Sequence, residues 1–263
     1  MLAQMVDLPH SLRAPVAPIA QPATRRPARQ ALALVMLILP VMITVSWVLA
    51  ALAGAPRPEG AAALTSMLAL GGAAAIVAAL SREGAFPHRN LGWCNVVTLL
   101  RGGGIAVLAG LVLVPAGALG WALVALATLV ALLDALDGWV ARRTGMQSRL
   151  GARLDVESDV AFALVLAALA VAQGQVGLWF LALGLLRPLF LLAGRIWPVL
   201  AAPLPDAAWR RFMAGVQMVV QVALLAPVLA PPVSTLIGAA LLGAMMLSFA
   251  VDMRWLIRRG ARP

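Results

Sequence analysis

The sequence predicts an all-α, polytopic membrane helix bundle, and three observations carry that prediction. Of its 263 residues, 63% are hydrophobic and only 11% charged, far from the roughly 25% charged of an ordinary soluble domain. The apolar residues fall into continuous runs close to the ~20 residues that a helix needs to cross a bilayer. Those runs lack the period-two alternation that barrel strands would show. The apolar content excludes a disordered chain, and a single cysteine, Cys94, excludes a disulfide scaffold.

Cut on the bilayer ruler, the chain yields eight spans. Residues 1–30 are rich in Pro and Arg without apolar periodicity and read as a disordered cytoplasmic tail. The first span, about 31–53, ends in Ala51-Leu52-Ala53-Gly54, similar to a signal-peptidase site, but it is long for a signal peptide and reads as a retained helix. The second runs over about 61–80, and the third, 95–114, stops at the Pro115–Gly120 turn segment. The fourth, 121–139, and fifth, 155–174, flank an arginine-rich loop, and the sixth covers 176–197. The seventh, 211–229, opens on Arg210–Arg211 and is parted from the eighth, 233–257, by Pro231–Pro232.

All 20 basic residues are arginine, giving a net charge of +10. Short loops rich in positive charge stay in the cytoplasm. Arg13, Arg25, Arg26 and Arg29, then Arg82 and Arg89, then Arg142, Arg143, Arg149 and Arg153, then Arg210 and Arg211, then Arg258, Arg259 and Arg262 all fall on one side of eight crossings, and Arg57 alone falls on the other. That side is read as cytoplasmic. The arginines lie between apolar runs, beside anionic lipid, so the charge argues for a membrane surface and against a nucleic-acid partner.

Acid is scarce and concentrated. Five of the ten acidic residues, Asp134, Asp137, Asp155, Glu157 and Asp159, fall within residues 134–159. Asp134 and Asp137 share a face at the cytoplasmic end of one helix, and Asp155 and Asp159 share a face at the start of the next. A short loop brings the two faces together. Four carboxylates meeting in a low dielectric repel strongly, and divalent cations are natural neutralisers. Two such ions about 3.5–4 Å apart form a clamp for displacement at phosphorus. Gly138 and Gly151 leave room for close backbone approach, and Arg142 offers a planar fork to phosphate oxygens. A lone Gly is more often a packing residue and a lone loop Arg a topological charge, so the aspartates carry the argument. Glu157, two residues from Asp155 and from Asp159, points off their face. Cys94 reads as packing and the tryptophans as interfacial anchors.

The run Asp134-x2-Asp137-Gly138-x2-Ala141-Arg142-x8-Gly151-x3-Asp155-x3-Asp159 resembles the signature of the CDP-alcohol phosphatidyltransferase family at every fixed position. Upstream, Asn95-x2-Thr98-x2-Arg101 is similar to the motif that opens the family's first core helix. The resemblance implies a six-helix catalytic core over about 90–259, preceded by two additional transmembrane helices over 31–83. It implies transfer of a phosphatidyl, or other substituted phosphoryl, group from a CDP-linked donor to an alcohol, with release of CMP. On the same ground Asp134, Asp137 and Asp155 would hold two divalent ions, Mg2+ or Mn2+, and Asp159 would act as general base and touch the second ion. Asn95, Thr98, Arg101, Gly138, Ala141, Arg142 and Gly151 would border the CDP donor.

Arg187 lies near the middle of the sixth span, where an unpaired charge is costly, so it should face a polar cavity. With Arg195, Arg210 and Arg211 it would clamp a phosphate on the acceptor. The opposing reading pairs Arg187 with donor phosphates or an internal carboxylate and leaves Arg210–Arg211 as topological charges. The expectation is a phospholipid-synthesis enzyme of a bacterial-type cytoplasmic membrane, its site facing the cytoplasm, with CDP-diacylglycerol as donor and glycerol 3-phosphate as leading acceptor. Serine, choline or inositol stay open as free-alcohol acceptors, as does a second copy of the chain as partner. A cation transporter is the rival from another class, since carboxylates within the membrane also mark ion pathways. Such a path has no need of a phosphate fork.

Overall fold

The structure, a computed structural model, describes residues 26–81, 88, 90–202, 204 and 208–260. Eight helices run through them: α1 Arg26–Leu52, α2 Pro58–Leu80, α3 Gly92–Gly110, α4 Gly120–Thr144, α5 Arg149–Ala172, α6 Leu181–Ile196, α7 Ala208–Ala223 and α8 Val233–Gly260. Short 3-10 turns extend α3 over Leu111–Leu113, precede α6 over Leu178–Phe180 and follow it over Pro198–Ala201. Among the described residues there is no strand, so the all-α architecture read from the apolar runs is the one observed.

Six helices, α1 to α4, α6 with its preceding turn, and α8, are long and apolar enough to cross a membrane. This is an integral membrane protein. The other two differ from the spans expected for physical reasons. In α5, Arg149, Arg153, Asp155, Glu157 and Asp159 crowd the N-terminal half. The seventh helix stops at Ala223 after 16 residues, because Pro227 disfavours helical geometry in the residue before it and the chain turns through Leu224–Leu229 instead. Of the expected tail, residues 1–25 lie outside the described residues, and 26–30 begin α1.

The loop between the aspartate-bearing helices is set by local chemistry. Gly145 takes a left-handed φ of 65° and ends α4, the usual device for a helix C-terminus. Ser148 is extended, and its side chain accepts from the Gly151 N–H at 2.9 Å, capping α5. The charged run 149–154, expected as loop, is therefore the first turns of a helix.

The third helix is the centre of the bundle, its apolar stretch 56% buried against 11–28% for the other spanning helices. It packs on α1, α2, α4 and α5, while α5 packs on α6 and α7, and α8 closes against α6 and α7. Small residues allow these approaches. A Cβ at Gly104 would lie 2.6 Å from Val130 of α4, and one at Gly184 of α6 would lie 2.7 Å from the Leu164 Cα of α5. Between α1, α2 and α3, the buried Thr65 hydroxyl donates to Ser46 Oγ (2.9 Å) and reaches the Ala106 carbonyl (3.3 Å). A side chain at Gly110 would run into Thr65 and the Ala61 carbonyl. These contacts fix α3, whose first turns carry Thr98 and Arg101, against the aspartate-bearing ends of α4 and α5.

Candidate active site

Three carboxylates meet where α3, α4 and α5 converge. One oxygen from each of Asp134, Asp137 and Asp155 lies within 4.8 Å of the others. Asp137 is buried, while Asp134 and Asp155 keep side-chain exposures of 42% and 50%. The Arg101 guanidinium, itself buried, stands among them. It ion-pairs with Asp134, lies 2.9 Å from Asp155 Oδ1 and 3.6 Å from Asp137 Oδ2. Thr98, one turn earlier on the same face of α3, donates to Asp137 Oδ2 at 3.1 Å.

The sequence places Arg101 beside the donor; the structure places its charge inside the carboxylate group, as a neutraliser built into the fold. Three carboxylates and one guanidinium still leave two negative charges, and the free donors are oxygen only. That is the chemistry a hard divalent cation takes. Asp134, Asp137 and Asp155 therefore fit such an ion.

Asp159 stands outside that trio. One turn along α5, it lines two cavities, a small one shared with Arg101 and Asp134 and a larger one that opens between α5, α6, α7 and α8. The larger encloses about 610 Å³ including its open mouth. Its wall is mostly apolar, from residues such as Val160, Leu183, Met213 and Phe249, and its charges are Asp159, Arg187, Arg210 and Asp252. Arg187 is buried and donates from Nη1 to the Val156 carbonyl at 3.0 Å, and among the described residues its Nε and Nη2 have no hydrogen-bond partner. Arg210 donates from Nη1 to Asp252 Oδ1 at 2.9 Å. Arg187 thus faces a cavity, as its cost in the membrane required. Arg195 and Arg211 are exposed and lie outside the cavity lining.

The remaining expected donor contacts lie at the same end. Gly138 makes room for Arg142, whose Nη1 would sit 3.2 Å from a Cβ there, as residues four apart on a helix do. Asn95 donates back to the Leu91 carbonyl, the Gly151 N–H is engaged by the α5 cap, and Ala141 is half-buried one turn past Asp137. Glu157 is exposed. Asp252 was missed from sequence, although an acid within the apolar run of α8 is a signal of function in a membrane. Gln217 and Ser248 of the same cavity carry no such signal.

Residues 92–251 match the sequence model of the CDP-alcohol phosphatidyltransferase family. The chain belongs to this family. The match runs from the first residue of α3 into α8, takes in the whole of 134–159 and leaves α1 and α2 outside. No curated protein and no solved structure matches the chain. Membership in the CDP-alcohol phosphatidyltransferases makes this a transferase of CDP-linked alcohols. It also gives the convergence of α3, α4 and α5 a chemical context, since a carboxylate trio that could hold a cation suits a diphosphate substrate.

Proposed function

We propose that the protein transfers a phosphatidyl group from CDP-diacylglycerol to a small phosphorylated alcohol, glycerol 3-phosphate foremost, and releases CMP. The reading rests above all on one observation, the cavity that joins Asp159 to Arg187 and Arg210 directly beside the carboxylate trio. In this scheme residues 90–259 form the catalytic core, α1 and α2 are additions to it, and the site faces the cytoplasm. The product is a phospholipid.

The chemistry follows from where the residues stand. Asp134, Asp137 and Asp155, with Asp159 one turn beyond, would hold divalent ions, Mg2+ or Mn2+, which would supply positive charge to the donor diphosphate. The acceptor hydroxyl attacks the phosphorus that bears diacylglycerol, the P–O bond to CMP breaks, and the hydroxyl proton passes to the Asp159 carboxylate. Aspartate is a weak base, so placement between the two cavities does the work. Arg187 holds the acceptor's anion through its two free N–H groups. Arg142, folded over Gly138, and Thr98 and Asn95 border the donor. Arg101 keeps the carboxylates together before donor and ions arrive, and a guanidinium in that position is poorly suited to a cation path, which counts against transport.

Purified protein supplied with CDP-diacylglycerol and a panel of alcohols, scored for CMP and lipid product with Mg2+, Mn2+ or chelator, tests the reading. Metal-dependent CMP release driven by glycerol 3-phosphate supports it. Activity with serine, choline or inositol and none with glycerol 3-phosphate rejects the acceptor. No CMP release with any acceptor in the presence of metal rejects the activity.

A further inference from the structure

The acceptor cavity carries two guanidinium groups, but they are not equivalent. Arg187 is tied only to a backbone carbonyl, and among the described residues no carboxylate ion-pairs with it. Arg210 is paired with Asp252 at 2.9 Å, with side-chain exposures of 11% and 12%. In so desolvated a place, the carboxylate cancels the field that Arg210 would otherwise present. The pair is also long-range, joining α7 to α8 across 42 residues, so it belongs to the cavity's tertiary structure and not to one helix's surface. Among the described residues Arg210 Nη2 has no hydrogen-bond partner and remains a donor without net charge behind it.

We propose that Asp252 is a specificity-determining residue: by neutralising Arg210 it leaves the cavity one guanidinium held by no carboxylate ion pair, Arg187, and so limits the acceptor to a small alcohol carrying a single anionic group, a phosphate monoester. An alcohol with a second acidic group would meet the Asp252 carboxylate, whose ion pair already engages Arg210. The proposal rests on the cavity being the acceptor site.

The test uses opposite signs. Inorganic phosphate serves as a competitive probe against the acceptor, with KM measured for both substrates in the full-length protein. Asp252→Asn keeps an oxygen that can accept from Arg210 but removes the charge, so phosphate inhibition should tighten roughly tenfold, the order of a charge-assisted contact. Arg210→Gln leaves Asp252 unbalanced, so phosphate inhibition should weaken by a similar factor. The double variant, a neutral pair, should recover most of what Arg210→Gln loses. Donor KM should stay fixed throughout. A pair that is only structural would make both single variants lose affinity, and that result, or an unchanged phosphate constant in Asp252→Asn, overturns the proposal. Should Asp252→Asn fail to fold, failure of the double variant to recover what Arg210→Gln loses overturns it equally. Arg187→Gln separates the two readings: if it leaves acceptor KM unchanged, the cavity is not the acceptor site, whereas if it raises acceptor KM and the pair variants do nothing, only the role of Asp252 is rejected.

Discussion

Replacing Arg101 with methionine should turn the protein into one that needs a divalent cation to stay folded. The guanidinium is buried among three carboxylates whose oxygens lie within 4.8 Å of one another. At that distance, with an effective dielectric of about 20, two unit charges repel by ~3.5 kcal/mol, or ~10 kcal/mol over three pairs. Because Asp134 and Asp155 are 42% and 50% exposed, solvent screening cuts that sum to less than half. A net loss of about 3–5 kcal/mol remains, in line with removing one partner of a buried ion pair. A cation at about one hundred times its dissociation constant returns about 2.7 kcal/mol by mass action. The variant should therefore be purified in Mg2+, then melted in detergent with Mg2+ or with chelator. We expect chelation to lower the Tm of Arg101→Met by several degrees more than it lowers that of the wild type. Equal metal-dependent shifts in the two proteins would refute the idea that Arg101 and the cation neutralise the same carboxylates.

Further outcomes are expected from the same geometry. Asp159→Asn should abolish turnover while binding of CDP-diacylglycerol survives, because it removes the proton acceptor and leaves the carboxylate trio intact; a near wild-type rate in saturating metal would remove Asp159 from that role. Arg187→Gln should raise acceptor KM by about one to two decades, the value of a charge-assisted contact of roughly 1.5–3 kcal/mol, with donor KM nearly fixed. A rise in donor KM instead would place the Arg187 contact on the diphosphate. Ser148→Cys should resist a membrane-impermeant thiol reagent added outside intact cells, since the α4–α5 loop is assigned to the cytoplasm; strong labelling reverses the orientation.

What could be read from sequence divides by range. Asp134, Asp137 and Asp155 were legible as one group because a helical spacing and one short loop bring them together, whereas Asp159, expected to converge with them, stands one turn outside the trio. The start of α5 was not legible: Arg149 and Arg153 look like loop residues until Ser148 is seen capping the helix through the Gly151 N–H. That the Arg101 charge also stands among the carboxylates was not legible, because nothing in a sequence shows that α3 passes between α4 and α5. Arg187 was legible from cost alone, as a cation deep in an apolar run. Its supposed companions show the limit of that reasoning. Arg210 lines the cavity, whereas its neighbour Arg211 is exposed, and only the rotation of α7 against α8 decides between them. Asp252 carried the same cost signal as Arg187, but its partner lies 42 residues away, so neither residue points to the other in the linear chain.

The hydroxyl knot joining α1, α2 and α3 bears on how this enzyme can be cut. A fragment designed from the family match would begin near residue 92 and discard the first two helices. It would expose to detergent the groove at Gly110, now filled by Thr65 and Ala61, and would remove Gln30, whose side-chain oxygen accepts from the Leu91 N–H at 2.8 Å where α3 begins. The helix losing that support is the one that carries Thr98 and Arg101. For expression or crystallisation, the smallest unit that keeps the carboxylate end of α3 braced therefore starts at α1, at about residue 26.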